Sequence, residues 1–285
     1  MEILHRISIN SKRDAKFLTA IHTMQIKHQV IELPGGESSL ITFEIFESDQ
    51  RWNTIANLIA LCGGVDIVET IFSPDEIRSA KWLRMISVHE QGYPQPKMSW
   101  PFKQTDRELL CLKCAIYRQI APMRIAKEPH LGKKAFVHTI WTNEIFCIPE
   151  VFRGLEEIQA KGYESWDVIL HKSGQISEKV RQLYVPSIAS PGLIANEGLR
   201  KTVCSECGTI KYYAHMRGIM KIKEEALIPE TDFMLTHEWF GSGYLAWREI
   251  LVSGRVASFI LDQGWQGVRF KVVEVIQKQT ENEKL

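Results

Sequence analysis

The sequence predicts an α+β protein: a small N-terminal α/β unit over residues 1–100, then a 101–285 domain in which four cysteines join two strand–helix–strand units. Three observations predict it. Strand-like and helix-like runs alternate over the first hundred residues. Two stretches of the second half pass through one series of strand, cap, amphipathic helix, glycine, aromatic and strand. A CxxC pair precedes each of these stretches.

In the first unit, SLITFEIF (39–46) has the β-branched and aromatic content of a strand. QRWNTIANLIALC (50–62) sets Trp52, Ile55, Ile59 and Cys62 on one helical face, with Asp49 placed to cap it and Gly63–Gly64 to end it. VDIVETIF (65–72) is the next strand. SPDEIRSAKWLRMI predicts a helix, because Ser73 and Glu76 form a capping box around Pro74 at the first helical position. The turn formers of QGYPQPKMSWP (91–101) mark the end of the unit.

In the second half, Trp141, Glu144 and Ile145 match Trp247, Glu249 and Ile250. Each copy then runs through a cap (Pro149 or Glu150; Ser253), a helix, a stopping glycine (Gly162; Gly264) and an aromatic (Tyr163; Trp265). The glycine supplies the left-handed turn that stops a helix, and the ring after it can pack back on the last turn. The match reads as a diverged duplication or as two such units that merely look alike. The polar tail KQTENEKL (278–285) predicts a frayed end.

Composition narrows the function. With 45% apolar residues the chain can bury a core, and 35 basic against 34 acidic residues leave a net charge of +1. That balance lacks the positive field of a dedicated duplex-DNA binder. The start MEILHRISINSKRD has no apolar leader, and no run approaches the 18 or so apolar residues of a membrane span. Six cysteines without a secretion signal do not read as a disulfide framework, so a reducing cytoplasm is expected, with no membrane partner.

The cysteines carry the chemistry. Two cysteines two residues apart can turn their sulfurs toward one point at a tight hairpin, and two such pairs complete a tetrahedral thiolate shell for zinc. CLKC and CSEC supply Cys111, Cys114, Cys204 and Cys207 for one structural Zn2+ per chain, a four-cysteine zinc site. Gly208 permits a tight turn after the second pair, and Lys113, Lys201 and Lys211 can offset the charge of four thiolates. A redox pair would sit at a helix N-terminus; ELLCLKCAIYRQ fits that loosely and TVCSECGTIKYY does not. Cys62 and Cys147 read as packing thiols. His130, His138, His215 and His237 are spare candidates for a shell that four sulfurs already fill.

No HExxH, GxSxG, Walker A or GxGxxG motif is present, which points away from an enzyme. HEWFGSG (237–243) is the one suggestive stretch. His237 and Ser242 could be drawn as base and nucleophile, but two aromatics anchoring a loop, with glycines making the turn before the next strand, explain it better. PHLGKK (129–134) reads as a solvated basic turn.

CLKC, the strand–helix–glycine unit at 144–168, CSECG and the closing VSGRVASFILDQGWQGVRF together resemble the bacterial double-CxxCG proteins, a group linked to toxin–immunity loci. The resemblance covers roughly residues 105–275. The closing pattern is also similar to the C-terminal unit of other immunity-type families. FSPDEIRSAKWL, QGYPQP and HEWFGSGYLAW resemble uncharacterised bacterial proteins of the same layout. Ala115 stands after CLKC where the family has glycine, and the first hundred residues lie outside the match. The resemblance implies that the two knuckles bind metal and that the protein protects by binding a cognate toxin, without assigning contact residues. Two other readings stand beside it. One is a zinc-ribbon nucleic-acid binder using Lys211, Tyr212, Tyr213 and Arg217, disfavoured by the charge balance; the other is an enzyme using His237 and Ser242.

Overall fold

The computed structural model describes residues 1–98, 100–194 and 199–277, so the tail expected to fray lies outside the described residues. The protein is α+β, as the sequence predicts. It divides into two compact units, Met1–Ser73 with Met216–Gly218, and Pro74–His215 with Ile219–Leu285.

The first unit runs β1 (Glu2–Asn10), α1 (Ala15–Thr23), β2 (Gln29–Glu32), β3 (Ser39–Phe46), α2 (Trp52–Cys62) and β4 (Val65–Ile71). Its antiparallel sheet has the order β2-β3-β1-β4, the ferredoxin-like arrangement of a βαββαβ chain. Alternate residues Ile7 and Ile9 of β1 and Ile41, Phe43 and Ile45 of β3 turn to one face, where Phe17 and Ile21 of α1 and Ile55 of α2 cover them. Trp52, Ile59 and Cys62 join this core, as their helical spacing predicts. Asp49 does not cap α2. Its carboxylate accepts from the Arg51 amide (2.8 Å) and guanidinium, and the helix begins one residue beyond Arg51 without a side-chain cap.

The second unit opens with α3 (Pro74–Ser79) and β5 (Trp82–Ser87). Here the structure corrects the sequence, which predicts one helix through both. WLRMIS is held extended between two later strands, with Leu83 and Met85 in the main core. Because β5 belongs to this unit's largest sheet, the unit begins at Pro74, ahead of the turn-rich 91–101 stretch.

A first series follows: the hairpin β6 (Arg107–Leu109) and β7 (Tyr117–Gln119), then β8 (Arg124–Ile125), β9 (Phe136–Val137), β10 (Ile145–Cys147), α4 (Pro149–Glu157), β11 (Glu164–Trp166), β12 (Ile169–Leu170), β13 (Arg181–Tyr184) and β14 (Leu193–Ile194). The second series is the hairpin β15 (Lys201–Val203) and β16 (Ile210–Tyr212), then β17 (Met220–Lys223), β18 (Phe233–Leu235), β19 (Trp239–Phe240), β20 (Ile250–Ser253), α5 (Gly254–Asp262) and β21 (Val268–Ile276).

The two series share a path. In the first, β10 and β11 both pair antiparallel with β13, which lies between them, and β9 flanks β10. In the second, β20 and β21 both pair antiparallel with β5, and β18 flanks β20. Each helix therefore joins two parallel strands separated by an inserted one. The helices enter one core, Val151, Phe152 and Leu155 of α4 beside Val256, Ala257 and Ile260 of α5. Ser253 caps α5 through the Val256 amide, and Pro149 takes the first position of α4. Tyr163 and Trp265 pack back on Phe152 and Phe259 of their own helices. Cys147 is wholly buried in the same core.

Candidate metal centre

Each CxxC pair sits in the turn of an antiparallel hairpin. In the first, Leu109 faces Tyr117, the Leu110 amide donates to the Ile116 carbonyl (2.8 Å), and the Ala115 amide donates to the Cys111 carbonyl (2.9 Å). In the second, Val203 faces Ile210, the Cys204 amide donates to the Thr209 carbonyl (2.9 Å), and the Gly208 amide donates to the Cys204 carbonyl (3.0 Å). The residue after each pair is left-handed, Ala115 at φ 56° and Gly208 at φ 71°. Gly208 adopts this freely, while Ala115 carries a cost on the order of 1 kcal/mol.

The turns face each other. Cys111 Sγ lies 3.8 Å from Cys204 Sγ, and Cys114 Sγ lies 3.6 Å from Cys207 Sγ. All four sulfurs fall within 4.8 Å of one another. A metal with four thiolates at about 2.3 Å needs sulfurs about 3.8 Å apart. A disulfide needs about 2.05 Å, and all four cysteines are free. The donor set therefore fits one metal ion, and the structure brings together the four ligands that the sequence predicts, with no histidine among them.

The surroundings are uneven. Cys111 and Cys114 are buried against Ile116, Tyr117 and Trp239, while Cys207 is exposed. Burial pushes the Cys114 thiol up to about 12, against a hydrogen bond from the Ile116 amide. The Thr209 hydroxyl, 3.3 Å from Cys207 Sγ, and the Thr209 amide pull Cys207 down to about 6. The amides of Cys207 and Glu206 lower Cys204. Such N–H and O–H donors favour the thiolate that a metal requires.

Lys211 contributes more than its position in the sequence suggests. It is 3% exposed, and its ammonium donates to the carbonyls of Cys114 (2.9 Å), Gly243 (2.6 Å) and Leu245 (3.0 Å). Lys113 and Lys201 are exposed. Of the nucleic-acid candidates, Lys211 is buried, and Arg217 belongs to the first unit, paired with Glu47. His237 and Ser242 are both exposed, and no hydrogen bond joins them among the described residues. Instead, Trp239 and Phe240 form β19 beside β16, Glu238 accepts from the amides of Gly192 and Leu193 (both 2.9 Å), and Ser242 begins a turn closed by the Leu245 amide. Gly132, Lys133 and Lys134 lie on an exposed turn.

Beside the first knuckle lies a buried network that motif reading missed. Arg107 is stacked between Trp100 and Tyr117, 4.4 and 4.1 Å from their centroids. It bonds Asp106 (2.9 Å) and reaches Glu144 (3.4 Å), which also accepts a hydrogen bond from the Tyr117 hydroxyl. Burial raises the Asp106 carboxyl despite Arg107. The available signal was the repeated Trp-Glu-Ile match: Glu249 is likewise buried, with Arg84 3.8 Å away. No protein-family model matches the chain, and none of the curated proteins matches it.

Proposed function

We propose that the four cysteines hold one structural zinc ion and that the chain is an immunity-type protein, neutralising a cognate bacterial toxin by binding it. The observation that carries this reading is the pair of opposed knuckles, whose four sulfurs lie within 4.8 Å. Four protein sulfurs leave a bound ion no open position for a substrate, so its contribution is structural. A scaffold pinned in this way suits a protein that acts by presenting a surface. The resemblance of CLKC, CSECG and VSGRVASFILDQGWQGVRF to double-CxxCG proteins supports the toxin as partner. Free thiols support a reducing, cytoplasmic setting.

The test is co-expression with the product of a neighbouring toxin-like gene. Co-elution and rescue of growth are expected. A neighbouring product that binds no tighter than an unrelated protein would overturn the immunity reading. Elemental analysis of the purified, folded chain should find one zinc, and folded protein with iron or no metal would overturn that identity.

A further inference from the structure

A pocket of about 260 Å³ opens within the second unit, beside the buried network. Trp247, Leu183, Val185, Leu235 and Ile188 build its apolar walls, with Ile188 47% exposed. Most polar groups on the lining are already engaged. The side-chain amides of Gln119 and Gln182 donate to each other at 2.8 Å in both directions. Arg118 pairs with Glu108 (2.6 Å). Glu144 is closed to a ligand: Oε1 takes the Tyr117 hydroxyl and Arg107, and Oε2 is sealed from solvent.

Arg248, on the same lining, is different. Its guanidinium lies 4.5 Å over the Trp239 ring, and Nη1 donates to the carbonyls of Thr236 (2.8 Å) and His237. Those contacts fix the plane of the group and occupy one nitrogen. Nε and Nη2 have no hydrogen-bond partner among the described residues, and neither is sealed from solvent. No carboxylate pairs with Arg248 among these residues. Glu238, whose charge acts on it, is held instead by the amides of Gly192 and Leu193. Burial pushes the guanidinium down from its ordinary value, against the pull of Glu238 and Tyr117, so the cation is incompletely compensated.

The Nε–Nη2 edge of a guanidinium carries two parallel N–H groups that match the two oxygens of a carboxylate. A half-buried cation without a counter-ion is costly, and an anion with an apolar body satisfies both the charge and the walls. We infer that this pocket binds a small apolar carboxylate, its two oxygens accepting from Arg248 Nε and Nη2 and its aromatic or branched aliphatic body lying against Trp247, Leu235 and Ile188. Arg248 already covers the Trp239 face, so the body rests on the other walls. The volume is below that of drug-sized sites, which sets the body at one or two rings. No cysteine is on the lining among the described residues, and the site stands independently of the immunity reading.

The test titrates the intact, metal-loaded chain with 3-phenylpropionate, followed by tryptophan fluorescence and calorimetry. 3-Phenylpropionamide serves as the neutral counterpart and 3-phenylpropylamine as the cationic one. The acid should bind, with the amide and the amine at least about tenfold weaker, and Arg248→Gln should weaken the acid by about tenfold or more. Ile188→Trp, which fills apolar space and leaves Arg248 in place, should also weaken it and keeps the test decisive if the first variant fails to fold. Absence of acid binding at millimolar concentration, equal binding of the amide or the amine, or unchanged acid binding in folded Arg248→Gln or Ile188→Trp would each overturn the inference.

Discussion

The Lys211 ammonium donates to the Cys114 carbonyl, so a side chain of the second hairpin grips the backbone of the first. With the carbonyls of Gly243 and Leu245 it fills a buried socket of three acceptors. Lys211→Met keeps the length and apolar stem but leaves the carbonyls without a donor. It should lower stability by roughly 2–4 kcal/mol and speed metal transfer to a chromophoric chelator. Urea denaturation and the chelator's absorbance measure the two effects; an unchanged urea midpoint would show that the socket does not matter.

Metal removal should loosen both hairpins together, since each supplies half of the shell. Serine at any one of Cys111, Cys114, Cys204 and Cys207 should abolish stoichiometric binding, and Cys114→Ser should destabilise the fold more than Cys207→Ser because Cys207 is exposed. Limited proteolysis is the readout, with new cuts at residues 110–116 and 203–209. Cobalt added to the chain should give the intense thiolate-to-metal absorption of a tetrahedral sulfur site.

The two knuckles should differ in their tolerance of a methyl group. At Gly208 a Cβ would meet nothing within 4 Å, so Gly208→Ala isolates the left-handed backbone cost, roughly 1 kcal/mol. Ala115→Gly relieves the same cost but exposes cavity where a buried methyl stood, and the two effects nearly cancel. Denaturant midpoints of the metal-loaded variants test both.

Asp232 ties the two helices of the core together. It accepts from the Lys161 amide (2.9 Å), the Ser253 hydroxyl (2.7 Å) and the Arg255 guanidinium, while Arg255 also donates to the carbonyls of Ile158 and Gln159 after α4. Burial opposes the charge of Asp232, but these donors outweigh it and hold its carboxyl below the usual range. Asp232→Ala removes the acceptor and should cost roughly 3 kcal/mol. Thermal melts read the loss, and Asp232→Asn should recover only part of it.

Stability should also fall on mild acidification through His215. Burial, then Arg84 and Lys271, push this imidazole down to about 4. The unfolded chain takes up the proton near pH 6.5 and the folded chain does not, so stability is fully present above about 6.5 and drains away as pH falls toward 4. His215→Gln should flatten the stability–pH curve in that window; an unchanged curve would remove His215 from the account.

The parts legible in the sequence were those fixed by local chemistry. CxxC spacing places sulfurs at a turn wherever the turn lies, and the helices at 149–157 and 254–262 carry their own periodicity and stops. Residues 82–87 were misread because the capping signals at 73–76 favour a helix, while only the later strands β20 and β21 reveal that Leu83 and Met85 belong to a sheet. In the sequence Lys211 is one of three lysines near enough to offset the thiolate charge. Its burial follows from three carbonyls on other segments, which no local pattern announces. Glu144 stood in the repeated match without any motif to mark its charge as buried.

The position of β5 has a consequence for the order in which the chain matures. Leu83 pairs with Val252 on one side and Val272 on the other. During synthesis this apolar strand emerges long before either partner, and at usual elongation rates it waits on the order of ten seconds or more. The largest sheet of the second unit closes only when the last strand arrives, so a chain halted before β21 carries an unpaired, sticky edge. For this molecule, premature termination makes a substrate for chaperones and proteases instead of a smaller working protein.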